Sequence, residues 1–553
     1  MGIINKIVAF FTSIAVTLGG IACLFMPSVP KAMSTDELMN MNGIFEKHEL
    51  ADKVYALTLG GFNADQMHTL KCLQGLVNKD KARLIFMHSY MERTYIDKFK
   101  ACGVEVIEQK LTFPEIIKEF SDYITDGGFV LYRNSEFAEG LNTACNYATV
   151  KGWLAVSVEL KETVENCGFT MKKDISTEEY NYNFLKKFFN EYKDEFSNKG
   201  IVHLKSSAAG LLDFAIQQKL YICYTGTQLK DRCFLKKVLN QTAENGIILG
   251  WCEDEKHFVE YISKLGYSII PADHSYNLSV LNGFDCDVKQ IPDSPDITPD
   301  PNKHYISLVF SDGDNVQWMT NGYSEYYRGQ SIERDYPVSW GIPNVCQDIC
   351  SATADEIKSS LKHNGDCFFA GPSGIGYALP SAYEEKSMDT YTTLTASAML
   401  KSNLRVACIL DDKPNAFAEK LFTRKFDFYS RFDNIDGGII FLDPKRYGSG
   451  EGRVWFSKDK PFLTVRTSLW HPDGYDGVTK EWMQEQADII NSYVADNNSI
   501  NGYSAICVHA WSVTPENLDY IVSLLDSHIE IVNVNQLIKM ITENVPHENA
   551  KPF

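Results

Sequence analysis

The chain has 553 residues, 44% hydrophobic and 23% charged, which is ordinary globular material and too much for one core, so two or three domains are expected. The formal net charge of −19, with no run of Lys and Arg, excludes a nucleic-acid partner, because phosphate binding needs clustered cations. Neutral substrates such as sugars stay compatible, and the 28 Tyr and 8 Trp suit either sugar stacking or a large core.

At the amino terminus Lys6 precedes an uncharged apolar stretch at 7–26, then Pro27, Pro30, Lys31 and Ala32. Residues 1–33 therefore read as a signal peptide or signal anchor, since the stretch can span a bilayer and the small residues near Ala32 permit cleavage. Cys23 only faintly resembles a lipidation box, because Leu24, Phe25 and Met26 continue the apolar run. The remainder is expected outside the cytoplasm, extracellular or at the cell surface, touching membrane only through this segment. The 14 cysteines have no framework spacing, and Cys223, Cys408 and Cys507 sit in apolar runs as small hydrophobes, leaving one or two bridges open. Cys346 and Cys350 lack a partnering pair for zinc. Sequons stand at Asn240, Asn277 and Asn497.

In residues 36–286, apolar runs at 54–59, 83–87, 104–107, 129–131, 153–158, 247–249 and 267–270 alternate with helical stretches such as 65–78 and 255–265. That alternation predicts a parallel-sheet α/β domain, Rossmann-like in layout, although neither GxGxxG nor a phosphate-loop motif is present. Gly75, in LQGLVNK at 73–79, fits close helix packing. Trp251, Glu253 and Glu255 follow a strand, from which they could reach across to the second half. Residues 287–303 hold four prolines among acidic and polar residues and form the linker.

After the linker, strands are expected at 305–310, 338–342, 367–370, 405–410, 438–442, 462–466, 504–508 and 529–534, with helices at 355–362, 387–400, 480–495 and 515–526. This predicts an irregular β/α barrel of seven or eight strands over 304–545, with a tail at 546–553. The 443–460 connection is a glycine-rich excursion. Barrel enzymes carry their chemistry after the carboxyl ends of strands, which is where Asp312, Asp314 and Asn315, then Asp411 and Asp412, Asp443, Arg466 with Trp470 and His471, and His509 with Trp511 fall.

Residues 369–380 read FAGPSGIGYALP, a strand running into a loop whose glycines Gly374 and Gly376 permit close backbone approach and whose prolines fix the presentation of Tyr377. GIGYALP resembles the signature of the GxGYxYP family of putative glycoside hydrolases, with Leu379 where the pattern has its second tyrosine. SDGDN at 311–315, GDCFFAGPSG at 365–374 and LQGLVNK also resemble family segments, so the similarity spans nearly the whole chain after residue 50. The resemblance implies glycoside hydrolysis, which needs two carboxyl groups flanking the scissile bond. Asp312 with Asp314, Asp366 or Asp412 could form that pair, and His509 is a further catalytic candidate. Tyr377, Gly374, Gly376, Arg466, Trp470, His471, Trp511, Asn315 and Trp318 are the candidate substrate-binding residues. Capping is the structural alternative for the aspartates and Asn315. Carbonyl bonding is that for His471 and His509, and core packing that for the tryptophans. Arg466, in an apolar strand, is expected to pair with the mouth aspartates.

Two other readings stay open. One is a non-catalytic glycan-binding protein. The other is a metal-dependent polysaccharide deacetylase of the NodB type, whose layout of an early SDGD and a late histidine is similar but whose HxxxH pair this chain lacks. No cofactor is expected, and a divalent ion held by Asp312, Asp314 and His471 or His509 belongs to that last alternative.

Overall fold

The structure is a computed structural model that describes residues 28–88, 91–205, 210–244, 246–289, 296–313, 315–323, 334–359, 361, 363–412, 419–443, 447–448 and 450–553. Most of the signal segment, part of the linker and Asp314 lie outside the described residues.

Among the described residues ten strands build the amino-terminal half: β1 (Glu49–Thr58), β2 (Lys81–Met87), β3 (Glu105–Gln109), β4 (Gly128–Tyr132), β5 (Leu154–Ser157), β6 (Thr170–Asp174), β7 (Gly200–His203), β8 (Tyr221–Cys223), β9 (Ile247–Gly250) and β10 (Ser268–Ile270). All their pairings are parallel, as the alternation of strand and helix requires. They divide among three sheets, ordered β2-β1-β3, β5-β4-β6 and β10-β9-β7-β8, in place of one continuous Rossmann-like sheet. Helices bury themselves between the sheets. In the helix Ala64–Val77 every residue from Thr69 onward is buried, and a Cβ on Gly75 would stand 2.7 Å from Ile216 and 2.8 Å from the Asp213 carbonyl. Glycine there lets two helices touch, as expected. Asn277 is fully buried, its side chain bonded to the backbone of Phe86 and to Gln74, so its sequon is inaccessible.

The carboxyl-terminal half is a closed parallel barrel. Its strands are β11 (His304–Phe310), β12 (Ser339–Ile342), β13 (Cys367–Ala370), β14 (Val406–Asp412), β15 (Gly437–Asp443), β17 (Lys460–Leu469) and β18 (Tyr503–Val508), with β16 (Val454–Ser457) a short antiparallel partner of β17. Seven strands close the ring, because β11 pairs with β18 along one edge and with β12 at its far end. The eighth expected strand, β19 (Ile529–Ile531), pairs only with the start of β11, on the side where β12 has yet to begin. Strand interiors are buried on both faces, the signature of a sheet covered by helices. The described cysteines are all free thiols.

The two halves interlock. The loop after β13 forms an antiparallel bridge to the third amino-terminal sheet, with Tyr377 N donating to Ile269 O at 2.7 Å and Ile269 N to Tyr377 O at 2.9 Å. Leu379 N donates to Ser263 Oγ. The GIGYALP loop thus presents one edge to the barrel mouth and zips the other to the neighbouring half.

Candidate functional site

A cleft of about 360 Å³ opens where the amino-terminal half meets the carboxyl ends of the barrel strands. From the barrel come Asp312 after β11, Pro372 after β13, Leu410 in β14, Phe441 in β15, Trp470 after β17, and His509 with Trp511 after β18. From the other half come Trp251, Glu255 and Pro271. Tyr377, Asn315, Gln317 and Tyr447 complete the wall.

Asp312 sits in a tight turn at φ 59°, a left-handed conformation that Asp tolerates better than most residues. The turn is closed by Asn315 N donating to Asp312 O. Gly313 follows because a Cβ there would come within 2.3 Å of the Gly341 backbone. This geometry brings Asp312 Oδ2 to 3.8 Å from His509 Nε2, while His509 Nδ1 bonds Ser512 Oγ at 2.8 Å. On the opposite wall the Tyr377 hydroxyl donates to Glu255 Oε1 at 3.1 Å, and the Tyr377 ring lies near-parallel to Trp251 with centroids 6.3 Å apart. Gln317 ties the halves together at the rim, its side chain accepting from His274 N at 2.6 Å.

The structure therefore brings together Asp312, His509, Tyr377, Asn315, Trp470 and Trp511 among the residues expected from sequence. Glu255 and Trp251 reach across as the strand position suggested, whereas Glu253 turns away to pair with Lys205. Asn315 also caps the following turn, its side chain accepting from Trp318 N. Trp318 is buried behind the wall against Trp511.

Other expected site residues fall elsewhere, and each has a structural job. Asp366 precedes β13 at the opposite end of the barrel, where it grips Arg334 at 2.7 and 3.1 Å and accepts from Val338 N. It cannot pair with Asp312. Asp412 stands at the seam between the halves, 3.8 Å from Lys256, with burial raising its pKa, and does not line the cleft. Arg466 occupies a bulge where β17 slips against β18. It turns from the mouth to donate to Asn501 O, Ser504 Oγ and Phe553 O above the Tyr493 ring, so its partners are two carbonyls and a hydroxyl and not aspartates. His471 accepts at Nδ1 from the Asp473 amide and packs on Trp482. Gly374 and Gly376 serve packing: a Cβ would meet Thr395 Oγ1 at 2.4 Å in one case and Ser268 Oγ at 2.8 Å in the other. Among the described residues no group of three or more His, Cys, Asp or Glu side chains comes together as a metal site.

Asp411, one residue above Leu410, is fully buried and anchors the turn after the GIGYALP loop by accepting from Ser381 N and Ser381 Oγ. Burial pushes its pKa up to about 7. A carboxyl raised on folding stabilises most below its unfolded pKa, and that contribution is lost as pH rises through the folded value. Asp411→Asn gives up one of the two accepting oxygens but carries no charge to bury, so its unfolding temperature minus that of the parent is expected to rise from pH 5 to pH 8. Thermal melts across that range check the sign.

Fold and cleft together define a β/α-barrel protein with a cleft at the carboxyl ends of its strands, walled on the other side by a second α/β half. Family models agree along the chain: the "GxGYxYP putative glycoside hydrolase C-terminal domain" matches residues 302–542, the "GxGYxYP third domain" 198–283 and the "GxGYxYP_N second domain" 127–195. The chain belongs to the GxGYxYP family. Its fold is similar to a crystal structure described as a "putative hydrolase" from Bacteroides thetaiotaomicron VPI-5482, with TM-score 0.81 and 22% identity over 93% of this chain and 99% of that one. No curated protein matches the chain.

Proposed function

We propose that the protein is an exported glycoside hydrolase in which Asp312 from the barrel and Glu255 from the amino-terminal half divide the acid and base roles. The observation that carries this reading is that two carboxyl side chains from different halves line one cleft, among Trp251, Tyr377, Trp470 and Trp511. Cleaving a glycosidic bond requires a proton for the leaving oxygen and a carboxylate that either attacks or activates water at the anomeric carbon. Aromatic rings supply flat apolar faces for sugar rings, and a few polar groups fix their orientation. His509 stands beside Asp312 as a second titratable group near the proton path, and the Tyr377 hydroxyl orients Glu255.

Glu255 replaces Asp366 and Asp412 as the proposed partner of Asp312, and Asp314 lies outside the described residues. The site is then shared between the halves, which supports the tight bridge at Tyr377 as a catalytic requirement. Export rests on the apolar stretch at 7–26, and the ligand class on the aromatic and carboxyl lining. The test is to incubate the protein with a panel of polysaccharides and aryl glycosides and assay reducing sugar, and in parallel acetate from acetylated glycans. Sugar release supports the hydrolase, while acetate release without sugar overturns it.

A further inference from the structure

A second cavity, of about 480 Å³, lies in the amino-terminal half, between the segments matched by the second- and third-domain family models. Its wall carries the rings of Phe137, Tyr180, Tyr182, Tyr224, Phe234 and Phe258. Phe137 is 38% exposed, and its ring lies within 10° of parallel to that of Tyr224, with centroids 6.0 Å apart. Large apolar rings ordinarily bury themselves, so an exposed phenylalanine aligned with a second ring at a cavity mouth is a platform in search of a flat apolar partner.

Between the rings stand hydrogen-bonding groups: Glu139, Asn181, Gln228, Asp231, Glu253 and Asp254. Their charge is partly offset. Glu253 pairs with Lys205, whose ammonium lies 5.8 Å from the Phe137 ring, Asp254 caps the following helix through His257 N, and Lys230 also lines the wall. Carboxylates disfavour a phosphorylated ligand, and so many polar groups disfavour a purely apolar one. Flat rings interleaved with carboxyl and amide groups match a neutral sugar, which has apolar ring faces and hydroxyls around its edge.

The two sites share a loop. Between β9 and the helix Glu255–Lys264, Trp251 and Glu255 face the barrel cleft, whereas Cys252, Glu253 and Asp254 line the second cavity. Beneath that loop His203 is fully buried, bonding Trp251 O at 2.8 Å through Nδ1 and accepting from Thr225 N at Nε2. One rigid turn thus holds a wall of each site.

We propose that this second cavity is a non-catalytic glycan-binding site that holds part of a neutral polysaccharide beside the barrel cleft. The choice of ligand class rests on the glycan reading of the cleft, but binding here does not depend on catalysis there. The test is native affinity electrophoresis of the full chain carrying Glu255→Gln, in gels containing xylan, galactomannan, arabinogalactan or β-1,3-glucan. At least one polysaccharide is expected to retard the protein. Phe137→Ala, which removes the exposed ring, and Thr227→Trp, which fills the opening from an exposed loop, should each weaken that retardation roughly tenfold, the scale of losing one anchoring aromatic. In an otherwise unaltered protein, Phe137→Ala should leave hydrolysis of short oligosaccharides unchanged. Retardation that ignores both substitutions, or none with any polysaccharide, overturns the proposal. Retardation that responds to them in a protein without hydrolytic activity upholds it while removing the function proposed for the cleft.

Discussion

Glu255→Gln and Asp312→Asn are each expected to lower glycoside hydrolysis by roughly 10²–10⁴-fold, the range for removing a general acid or base, while leaving the fold intact. Both substitutions are nearly isosteric. A glutamine at 255 keeps an oxygen to accept from the Tyr377 hydroxyl. An asparagine at 312 accepts the left-handed backbone at φ 59°, since Asn and Asp are the side chains that tolerate it best. Initial rates and unfolding temperatures measured side by side separate lost chemistry from lost structure. Asp412→Asn is the contrasting substitution. Its carboxyl faces Lys256 at the seam and stands outside the cleft wall, so its rate should stay within a few-fold of the parent.

The second large effect is on stability. Arg334 and Asp366 form a pair whose side chains are 3% and 0% exposed, with Asp366 also accepting from Val338 N at 2.8 Å. Asp366→Ala leaves the guanidinium buried without its counter-charge, which costs about 3–5 kcal/mol. The expected result is a fall of roughly ten degrees in the barrel's unfolding temperature, with turnover per folded molecule unchanged. Replacing both partners together by apolar residues of similar size should recover much of the loss, because no stranded charge remains. A catalytic Asp366 would behave in the opposite way, losing turnover and keeping the melt.

The barrel was legible because each strand is an apolar run ending in polar residues, and all eight expected strands form. Their closure was not legible. Whether β19 enters the ring depends on which edge of β11 it meets, a tertiary matter that the run around 529 does not encode. In the amino-terminal half, β6 reads TMKKD, too polar for periodicity to separate from loop, and β7 and β8 are only four and three residues long, a length at which, as with β9 and β10, only the flanking residues can mark a strand. Without them the partition into three sheets could not be seen.

For the site, the rule that chemistry follows strand ends points to Asp312, Trp470, His509 and Trp511, all of which line the cleft. It misplaced residues wherever the chain departs from a regular strand. Arg466 is turned aside by a bulge, and Asp366 belongs to the start of β13 and not to the end of a preceding element. In sequence the glycines of GIGYALP suggest room for a ligand, whereas in the fold they make room for Thr395 and Ser268. Tyr447 was missed because it lies in the glycine-rich excursion after β15, where an aromatic beside a strand end was the available signal. Sequence marks Glu255 only as able to reach across, since the docking of two halves is a tertiary matter.

Hydrolysis of glycosidic bonds in the cleft shared by the two halves would place oxygen from water on the anomeric carbon of the product. Its most direct test is product analysis of the full chain acting on a glycan panel in ¹⁸O-labelled water. Released sugar is expected to carry ¹⁸O at its anomeric carbon, with none released by the protein bearing Asp312→Asn and Glu255→Gln together. Unlabelled release, release that survives the double substitution, or binding across the panel with no product would contradict it.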